Sequence, residues 1–335
     1  MRMPVSVAQK LCLLFMGMAL GGACAAGKPY QYYVVGNPID EARLPASRPS
    51  LALMGAGTDV DKAFKWMIQK SGGGNFVVIR ASGTDAYNPY IYAMGGVASV
   101  ETIIIPSRDA ANDPFVKSRI SGAAALFIAG GDQKDYVNYW QGTLVQSAIQ
   151  DLARKNIPVG GTSAGLAVMG EYAFIASHGT ISSLTALSDP YDETVTLRRN
   201  FLALPDMQGL IMDPHLDTRN RMGRLMTFMA RIVSDGWSDT ARGIGVDEET
   251  ALLVDDGVAS LVGKGSAYFL QTEGAPQVCQ PKTPLSYSIL DVQRLSGRGK
   301  FDLRHWVSAA GDTARYSLFA VEGVAYSTQA SGAIY

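Results

Sequence analysis

Hydrophobic residues occur in short runs between residue 32 and about residue 165, and longer segments of mixed polarity separate them. In the predicted helix over residues 59–70, Val60, Phe64, Met67 and Ile68 recur at helical spacing, and a second helix is predicted over residues 136–154. The runs are rich in β-branched or bulky side chains, and they are YYVVG, LALMG, FVVIR, ETIIIP, AALFIAGG and IPVGG. Apolar strands that alternate with helices predict a parallel sheet covered on both faces.

Several of these predicted strands end in glycine, namely LALMG, LFIAGG and IPVGG. Parallel sheets bind ligands beyond the carboxyl ends of their strands. We therefore expect a ligand site at this edge of the sheet.

The pattern changes after about residue 250. The segment ALLVDDGVASLVGKGSAYFLQ alternates apolar and polar residues around D-G and K-G turn signals, which predicts hairpins. SYSILDVQRL, RYSLFAVEG and VAYSTQ continue that alternation. We predict an α/β domain over residues 27–255 and a β-rich C-terminal extension over residues 256–335.

Residues 1–26 are typical of a secretory signal peptide. Arg2 and Lys10 precede an apolar run over residues 11–20, and small residues follow it. The run is shorter than the roughly 20 apolar residues of a membrane-spanning helix. Lipid attachment at Cys24 is disfavoured because Leu20 lies one position too far from it. These features predict a secreted or periplasmic protein without a membrane span.

Composition argues against several classes of protein and site. The formal net charge is -1, so no basic field for nucleic acid is expected. Cys12 and Cys24 lie in the signal region, which leaves Cys279, predicted to be a small buried side chain, without a disulfide partner. The segment GAGTDV lacks the third glycine of a dinucleotide fingerprint. We expect no nucleotide, metal or organic cofactor.

The segment IPVGGTSAG contains the pattern G-x-S-x-G, formed by Gly161, Ser163 and Gly165. After a strand and before a helix, this pattern predicts a nucleophile elbow with an exposed serine hydroxyl. The N–H of Ala164 would then face a developing oxyanion. A structural glycine turn is the alternative.

A serine nucleophile needs a base, and the chain contains three histidines. His178 lies in a polar turn, and His305 lies in the β-rich extension. His215 follows the apolar run GLIM and a D-P turn, so it is predicted to lie at a strand end like Ser163. Asp217 is the expected N-cap of a following helix, whose apolar face contains Met222, Leu225, Met226 and Met229.

Three arginines follow His215 at positions 219, 221 and 224. Arg221 and Arg224 share a helix face, whereas Arg219 lies nearly opposite Arg221 unless the first turn is irregular. They form either a solvated basic face or a clamp for a carboxylate. The spacing alone leaves both interpretations open.

The motifs LFIAGGDQ, GGTSAGLAVM, MDPHLDTRNRMGRL and GIGVDEETAL resemble, in order and spacing, those of cyanophycinases and their dipeptidase E relatives, the S51 serine peptidases. The resemblance covers residues 50–255 and implies a flavodoxin-like (class I glutamine amidotransferase-like) parallel α/β fold. It implies hydrolysis of cyanophycin, a poly-aspartate with arginine on each side chain, to β-Asp-Arg dipeptides. The resemblance implies that Ser163 is the nucleophile, His215 the base and Gly131 an oxyanion donor beside Ala164. The substrate-binding residues that it implies are Gln133, Asp213, Arg219, Arg221 and Arg224.

Two positions depart from the family pattern. Cyanophycinases carry glutamine where this chain has Pro214, so the choice of substrate is expected to differ. The family also places its acidic residue between the serine and the histidine, where this chain has Leu184 or Thr185. A Ser–His dyad is one alternative, and the acidic residues that remain as others are Asp189, Asp192, Asp213 and Glu248.

Taken together, the motifs predict a secreted serine peptidase that acts on a peptide or cyanophycin-like substrate. A broader aspartyl dipeptidase and a catalytically weakened binding homologue remain alternative hypotheses. A third is an α/β-hydrolase esterase that uses the late histidine, His305. The sequence leaves the oligomeric state open, with a homodimer as one candidate.

Overall fold

The computed structural model describes residues 27–39 and 48–335, so the predicted signal peptide at residues 1–26 lies outside the described residues. Within the described residues, the larger of two sheets has ten strands. In spatial order these are β1 (Gln31–Gly36), β4 (Ser99–Ile104), β3 (Asn75–Arg80), β5 (Ala125–Ile128), β6 (Val159–Thr162), β2 (Ser50–Met54), β11 (Thr250–Asp255), β12 (Val258–Gly263), β15 (Lys300–Asp302) and β16 (Val307–Ala310).

The second sheet has eight strands in the described part of the chain. In spatial order these are β18 (Val324–Ser327), β17 (Thr313–Val321), β14 (Tyr287–Leu295), β13 (Ala267–Thr272), β10 (Arg242–Val246), β9 (Leu210–Pro214), β7 (Tyr172–Phe174) and β8 (Leu197–Arg199). The helices are α1 (Asp61–Ser71), α2 (Tyr87–Tyr92), α3 (Arg108–Ala111), α4 (Pro114–Ser121), α5 (Gln133–Trp140), α6 (Leu144–Arg154), α7 (Ala164–Ala167), α8 (Ser183–Ser188) and α9 (Met222–Ser234).

A parallel core lies in the middle of the first sheet, where β4, β3, β5, β6 and β2 run in one direction. Alternate residues of these strands face opposite sides of the sheet. Val77 and Ile79 therefore pack in one core cluster with α4 and α6, whereas Phe76 and Val78 pack with α1 in another. The predicted α/β fold, with helices on both faces of a parallel sheet, is confirmed.

The second sheet is a separate layer that the strand pattern did not predict. Its strands β7, β9 and β10 are parallel, and the pairs from β10 through β18 are antiparallel. Leu252 and Val254 of β11 share a core cluster with Leu210 and Met212 of β9, so the two sheets pack face to face there. Helix α9 packs in the cluster on the other face of the second sheet.

Of the two hairpins predicted at turn signals in the C-terminal region, the one at the D-G turn is confirmed and the one at the K-G turn is wrong, because β12 and β13 on either side of Lys264 and Gly265 belong to different sheets. Strands β11 and β12 pair through the turn at Asp256 and Gly257, whose φ values of 53° and 80° suit a D-G hairpin turn. After this turn, β12, β15 and β16 extend the first sheet, whereas β13, β14, β17 and β18 extend the second. The predicted domain boundary at residue 255 stays a prediction.

Two predictions about helices were wrong. The single helix over residues 136–154 is two helices, α5 and α6, because Gly142 between them has a φ of 71°, which a helix cannot contain. Asp217 does not cap α9, because residues 216–220 form a turn and the helix begins at Met222 with Arg221 at its N-cap position. Among the described helices, none combines the length and the apolar character of a membrane span.

Candidate active site

Ser163 lies on the sharp turn between β6 and α7. Its φ of 52° and ψ of −119° lie in a region that residues with a side chain seldom adopt, and strain of this kind is often found at functional sites. The turn carries the serine side chain past the carboxyl end of the parallel strands. This is the strand–turn–helix geometry that the pattern G-x-S-x-G predicts.

The two glycines of that pattern allow the backbones of α7, β6 and β5 to touch. A Cβ atom on Gly161 would lie 2.7 Å from the carbonyl carbon of Gly165. A Cβ atom on Gly165 would overlap the carbonyl oxygen of Ile128 at the end of β5. The serine turn is therefore held by direct contact between backbones, with no room for side chains.

His215 follows β9 and points at the serine. Its own φ is 54°, and its N–H donates to the Gly55 carbonyl oxygen at 2.9 Å, which ties the turn to the end of β2. The distance from His215 Nε2 to Ser163 Oγ is 2.8 Å. The side chains predicted to act as nucleophile and base thus lie within hydrogen-bonding distance.

Glu248 is the carboxylate that contacts this histidine, with 2.5 Å between Glu248 Oε1 and His215 Nδ1. Strands β9 and β10 are parallel neighbours in which Pro214 pairs with Val246, so the residues that follow leave the sheet side by side. Because a carboxylate only accepts hydrogen bonds, Nδ1 of His215 carries a proton. Nε2 is then free to accept the proton of the Ser163 hydroxyl.

The turn that carries Glu248 joins the two sheets, since β10 belongs to the second sheet and β11 to the first. Asp247 accepts the backbone N–H groups of Asp217 at 3.1 Å and Ser266 at 2.9 Å. On the other side, the Glu249 N–H donates to the Ala56 carbonyl oxygen at 2.7 Å. Glu248 is thus held between two fixed neighbours.

The surroundings of His215 favour its neutral form. Burial lowers the pKa of His215 below its ordinary value of 6.5, and the nearby cations of Arg219 and Arg221 lower it further. The hydrogen bond and negative charge of Glu248 act in the opposite direction, but the net shift is downward. At neutral pH the imidazole is therefore in the form that accepts a proton.

The acid does not lie between Ser163 and His215, as the resemblance implied, because Glu248 follows His215 by 33 residues. Asp189 Oδ1 accepts the N–H groups of Tyr191 and Lys282, and Asp192 Oδ1 accepts that of Thr194. In the sequence analysis, Glu248 is one of four candidates for the acidic residue of the triad. The signal that identifies it is the largely apolar run GIGV followed by DEE, which resembles the run GLIM followed by DPH around His215.

Asp213 and Arg224 form a buried ion pair beneath the histidine turn. Arg224 Nε and Nη2 donate to the two carboxylate oxygens of Asp213 at 2.9 and 2.5 Å, and the two residues are only 1–2% exposed. This bidentate geometry fixes both side chains. Their predicted contact with substrate stays a prediction.

The other two arginines lie closer to the catalytic side chains. Arg221 Nη1 donates to the Pro214 carbonyl oxygen at 2.9 Å, and burial together with the cation of Arg224 lowers the pKa of Arg221 to about 10. Arg219 is half exposed, and its Nε lies 3.9 Å from Glu248 Oε1. Both arginines therefore act on the His215 turn, and their predicted role in substrate binding stays a prediction.

A cleft of about 410 Å³ opens beside the serine hydroxyl. It lies where the sequence predicted a ligand site, at the glycine-rich ends of β2, β5 and β6. Its lining residues are Ala56, Gly57, Asp59, Arg80, Tyr87, Gly130, Gly131, Thr162, Ser163 and His215.

Two predicted oxyanion donors lie at this cleft or next to it. Gly131 is in the lining, and Ala164 is the first residue of α7, so its N–H has no partner within that helix. Gln133 begins α5 two residues beyond Gly131 and is half-buried. The roles of Gly131, Ala164 and Gln133 stay predictions.

The remaining histidines contact other groups. His305 Nδ1 lies 2.7 Å from Asp302 Oδ2, and its side chain is 79% exposed. His178 is also exposed and contacts the Glu193 carbonyl oxygen. The esterase hypothesis required His305 at the serine, and His215 occupies that position instead.

Two further sequence predictions concern Cys279 and metal ions. Cys279 is a half-buried free thiol that packs against the second-sheet core, and burial raises its pKa. Among residues 27–39 and 48–335, no group of three or more histidine, cysteine, aspartate or glutamate side chains has an arrangement that suits a metal ion.

Comparison with known proteins gives one family match. The family model described as peptidase family S51 matches residues 53–262, which includes Ser163, His215 and Glu248. A cyanophycinase from a Nostoc species is 29% identical over 219 residues, which cover 64% of this chain and 68% of the relative. A cyanophycinase from Trichormus variabilis is 28% identical with the same coverage. A solved peptidase structure from an acI-B1 actinobacterium is 16% identical, covers 67% of this chain and 91% of its own, and has a TM-score of 0.47.

Proposed function

Because this chain belongs to peptidase family S51, we propose that Ser163 and His215, oriented by Glu248, hydrolyse the amide bonds of aspartyl peptides. Membership of this family makes the protein a serine peptidase. One observation carries the assignment of residues: the unbroken path from Ser163 Oγ to His215 Nε2 at 2.8 Å and from His215 Nδ1 to Glu248 Oε1 at 2.5 Å.

In the proposed mechanism, His215 Nε2 takes the proton of the Ser163 hydroxyl while the oxygen attacks the scissile carbonyl carbon. The N–H groups of Ala164 and Gly131 stabilise the oxyanion. The imidazolium then gives its proton to the leaving amine, and the C–N bond breaks to leave an acyl-enzyme. Water, deprotonated by His215, releases the acid and restores the serine.

Glu248 has an orienting role in this proposal. It holds the Nδ1–H tautomer and stabilises the imidazolium by its charge, but it does not itself take the proton. Burial keeps His215 neutral before the reaction. The carboxylate therefore supplies its stabilisation when the positive charge develops, which lowers the barrier.

Cyanophycin is the substrate that we propose, with β-Asp-Arg dipeptides as products. Support comes from the two cyanophycinases that are 29% and 28% identical to this chain over 219 residues. Since residues 1–26 are predicted to be a signal peptide, the proposal includes action in the periplasm or outside the cell.

A second candidate is a broader dipeptidase for aspartyl peptides. Pro214 favours it, because proline replaces the glutamine of cyanophycinases next to the base and has neither an amide side chain nor a backbone N–H. The binding-homologue hypothesis, by contrast, rested on a missing acid, and Glu248 occupies that position.

The test of this proposal compares the purified protein with its Ser163→Ala variant on cyanophycin, on β-Asp-Arg peptides and on a panel of Asp-X dipeptides, with products followed by mass spectrometry. We expect release of β-Asp-Arg by the wild type and a loss of about 10⁴-fold or more in kcat for the variant. Ser118→Ala, an exposed serine of α4, is the matched control and should keep full activity.

Equal turnover by the wild type and Ser163→Ala would refute the proposed nucleophile. Cleavage of many Asp-X dipeptides but not of cyanophycin would establish the second candidate instead. A wild type that cleaves no aspartyl substrate would overturn the proposed function.

A further inference from the structure

Arg80 lies at the edge of the Ser163 cleft and is a cation without an anionic partner among the described residues. It is the last residue of β3 and is half-buried. Its Nη1 donates to the Thr84 carbonyl oxygen at 3.1 Å and its Nη2 to that of Gly130 at 3.4 Å, while its buried Nε has no partner. In the described part of the chain, no carboxylate forms a salt bridge with this guanidinium. A guanidinium has five N–H donors, so one remains available on each terminal nitrogen.

Asp59 is the corresponding anion, and no cation among the described residues pairs with it. It lies in the same cleft lining and is half-buried. Its Oδ2 accepts the hydroxyl of Tyr87 at 2.8 Å, and its other carboxylate oxygen has no hydrogen-bond partner among the described residues. Burial raises the pKa of Asp59, and the charge of Asp61 adds to the shift. A cation next to this carboxylate would stabilise its charged form and lower the pKa of Asp59 again.

The two charges line the same cleft but do not pair with each other. Tyr87, which contacts Asp59 directly, also experiences the charge of Arg80. Partly buried ionic groups in a protein are usually paired, because an isolated charge loses its hydration without compensation. Two opposite and unpaired charges beside one nucleophile therefore indicate a site for a ligand that carries both a cation and an anion and pairs with each of them.

We propose that Asp59 and Arg80 form a subsite for a zwitterionic part of the substrate, with Asp59 binding its cation and Arg80 its carboxylate. This inference rests on the proposed function, since it assigns the subsite to the substrate that Ser163 cleaves. A guanidinium fork suits a carboxylate, and a carboxylate suits a guanidinium or an ammonium. The subsite makes Asp59 and Arg80 specificity-determining residues.

Two parts of an aspartyl-arginine substrate carry this pair of charges. The arginyl residue of β-Asp-Arg has a side-chain guanidinium and a free α-carboxylate, whereas the aspartyl unit has an α-ammonium and an α-carboxylate. Only the first is present at every repeat of cyanophycin. β-Asp-citrulline lacks the guanidinium charge, and N-acetyl-β-Asp-Arg lacks the ammonium, so these two ligands distinguish the sources.

The test measures binding to the full chain carrying Ser163→Ala, so that no ligand is consumed. Isothermal titration calorimetry with β-Asp-Arg, its C-terminal amide, β-Asp-citrulline and N-acetyl-β-Asp-Arg is repeated after adding Asp59→Asn or Arg80→Gln. We expect each added change to weaken β-Asp-Arg binding about 10-fold to 100-fold, because a charge-assisted hydrogen bond is lost. If Asp59 binds the guanidinium, Asp59→Asn should have little effect on the binding of β-Asp-citrulline. If Asp59 binds the ammonium, Asp59→Asn should have little effect on the binding of N-acetyl-β-Asp-Arg. Arg80→Gln should have little effect on the binding of the C-terminal amide, which lacks the carboxylate.

Matched controls are Asp109→Asn and Arg108→Gln, at two exposed residues of α3, where the Arg108 guanidinium donates to carbonyl oxygens of α5 and its C-cap. Both should leave binding unchanged. Arg80→Lys keeps the charge and should retain part of the affinity that Arg80→Gln loses. Circular dichroism of each variant identifies a folding defect. If Arg80→Gln has such a defect, the binding of the four ligands to the Asp59→Asn variant decides the test.

The subsite is overturned if β-Asp-Arg binds equally well with and without Asp59→Asn and Arg80→Gln. It is also overturned if both variants weaken all four ligands by the same factor, because that result indicates a structural role. Failure of the proposed function is a separate result. It would be seen in the cleavage assay, as a wild type that cleaves no aspartyl substrate, whereas the subsite is tested by the binding measurements.

Discussion

The nucleophile and its base are held in place by different forces, although their reactive atoms lie 2.8 Å apart. On the first sheet, the Ser163 turn is fixed by backbones that touch through Gly161 and Gly165. On the second sheet, the His215 turn is surrounded by charged groups, including Glu248 and the cations of Arg219 and Arg221. Packing thus sets where the nucleophile is, and electrostatics set when the base is ready to accept a proton.

The difference has a chemical reason. A serine hydroxyl is uncharged in its resting state, so its turn has only to hold the oxygen in a fixed position. A histidine changes its charge during the reaction, and each nearby charged residue alters the relative energies of its two forms. Variants on the first side should therefore affect folding, and variants on the second should affect the pH profile and the rate.

The largest expected effect within this comparison is that of Glu248→Gln. The variant keeps the size of the side chain but loses the charge that holds the Nδ1–H tautomer and stabilises the imidazolium, so kcat should fall by roughly 10³-fold to 10⁴-fold. The acid limb of kcat/KM should also move to lower pH, because Glu248 raises the pKa of His215. Steady-state kinetics as a function of pH measure both effects.

Glu249→Gln is the matched control, since Glu249 is the next residue and forms an ion pair with the exposed Lys264. It should keep near-normal kcat. Equal losses in the two variants would show that the turn as a whole, and not the carboxylate at His215, is responsible.

The next largest effect is expected on the packed side, where Gly165→Ala should lower the free energy of unfolding by about 3 kcal/mol. The added methyl group would overlap the Ile128 carbonyl oxygen at the end of β5. Urea denaturation followed by circular dichroism gives this quantity. Gly274→Ala is the control, because a Cβ atom there meets nothing within 4 Å. A Gly165→Ala variant as stable as the control would contradict the account of backbone contact.

The smallest effect should come from Arg219→Gln on the charged side. Since kcat/KM requires neutral His215, it should fall as pH decreases through the His215 pKa, which lies below 6.5. Removing the Arg219 cation makes protonation easier, so the acid limb should move to higher pH. The shift is expected to be small and to shrink with added salt, because the Arg219 side chain is 53% exposed.

Arg154→Gln, at an exposed surface position, should leave the pH profile of wild type unchanged. If the profile of Arg219→Gln moves to lower pH instead, the cation does not act on His215 as described.

Much of the α/β core could be predicted because its strands are continuous apolar runs that end at glycines. The six runs before residue 165 correspond to β1 through β6. The second sheet could not be predicted, since the run that forms β9 gives no sign of which sheet it joins. That choice depends on pairing with β7 and β10, which lie far apart in the chain.

The active site shows the same limit. Ser163 and His215 were recognisable because each follows an apolar strand and carries a chemically suitable side chain. Glu248 was not singled out, because its contact with His215 depends on the parallel pairing of β9 with β10. The break at Gly142 and the start of α9 at Met222 depend on local backbone conformation, which the spacing of apolar residues does not specify.

The division of the catalytic residues between two sheets has a consequence for the order in which activity arises. A chain in which only the first sheet has formed would hold the nucleophile without its base, and one with only the second would hold the base without a nucleophile. Hydrolysis can begin only after the two layers have docked with their facing surfaces in register. The triad therefore reports on assembly, since its three side chains can meet only in a molecule whose two sheets have both formed and packed together.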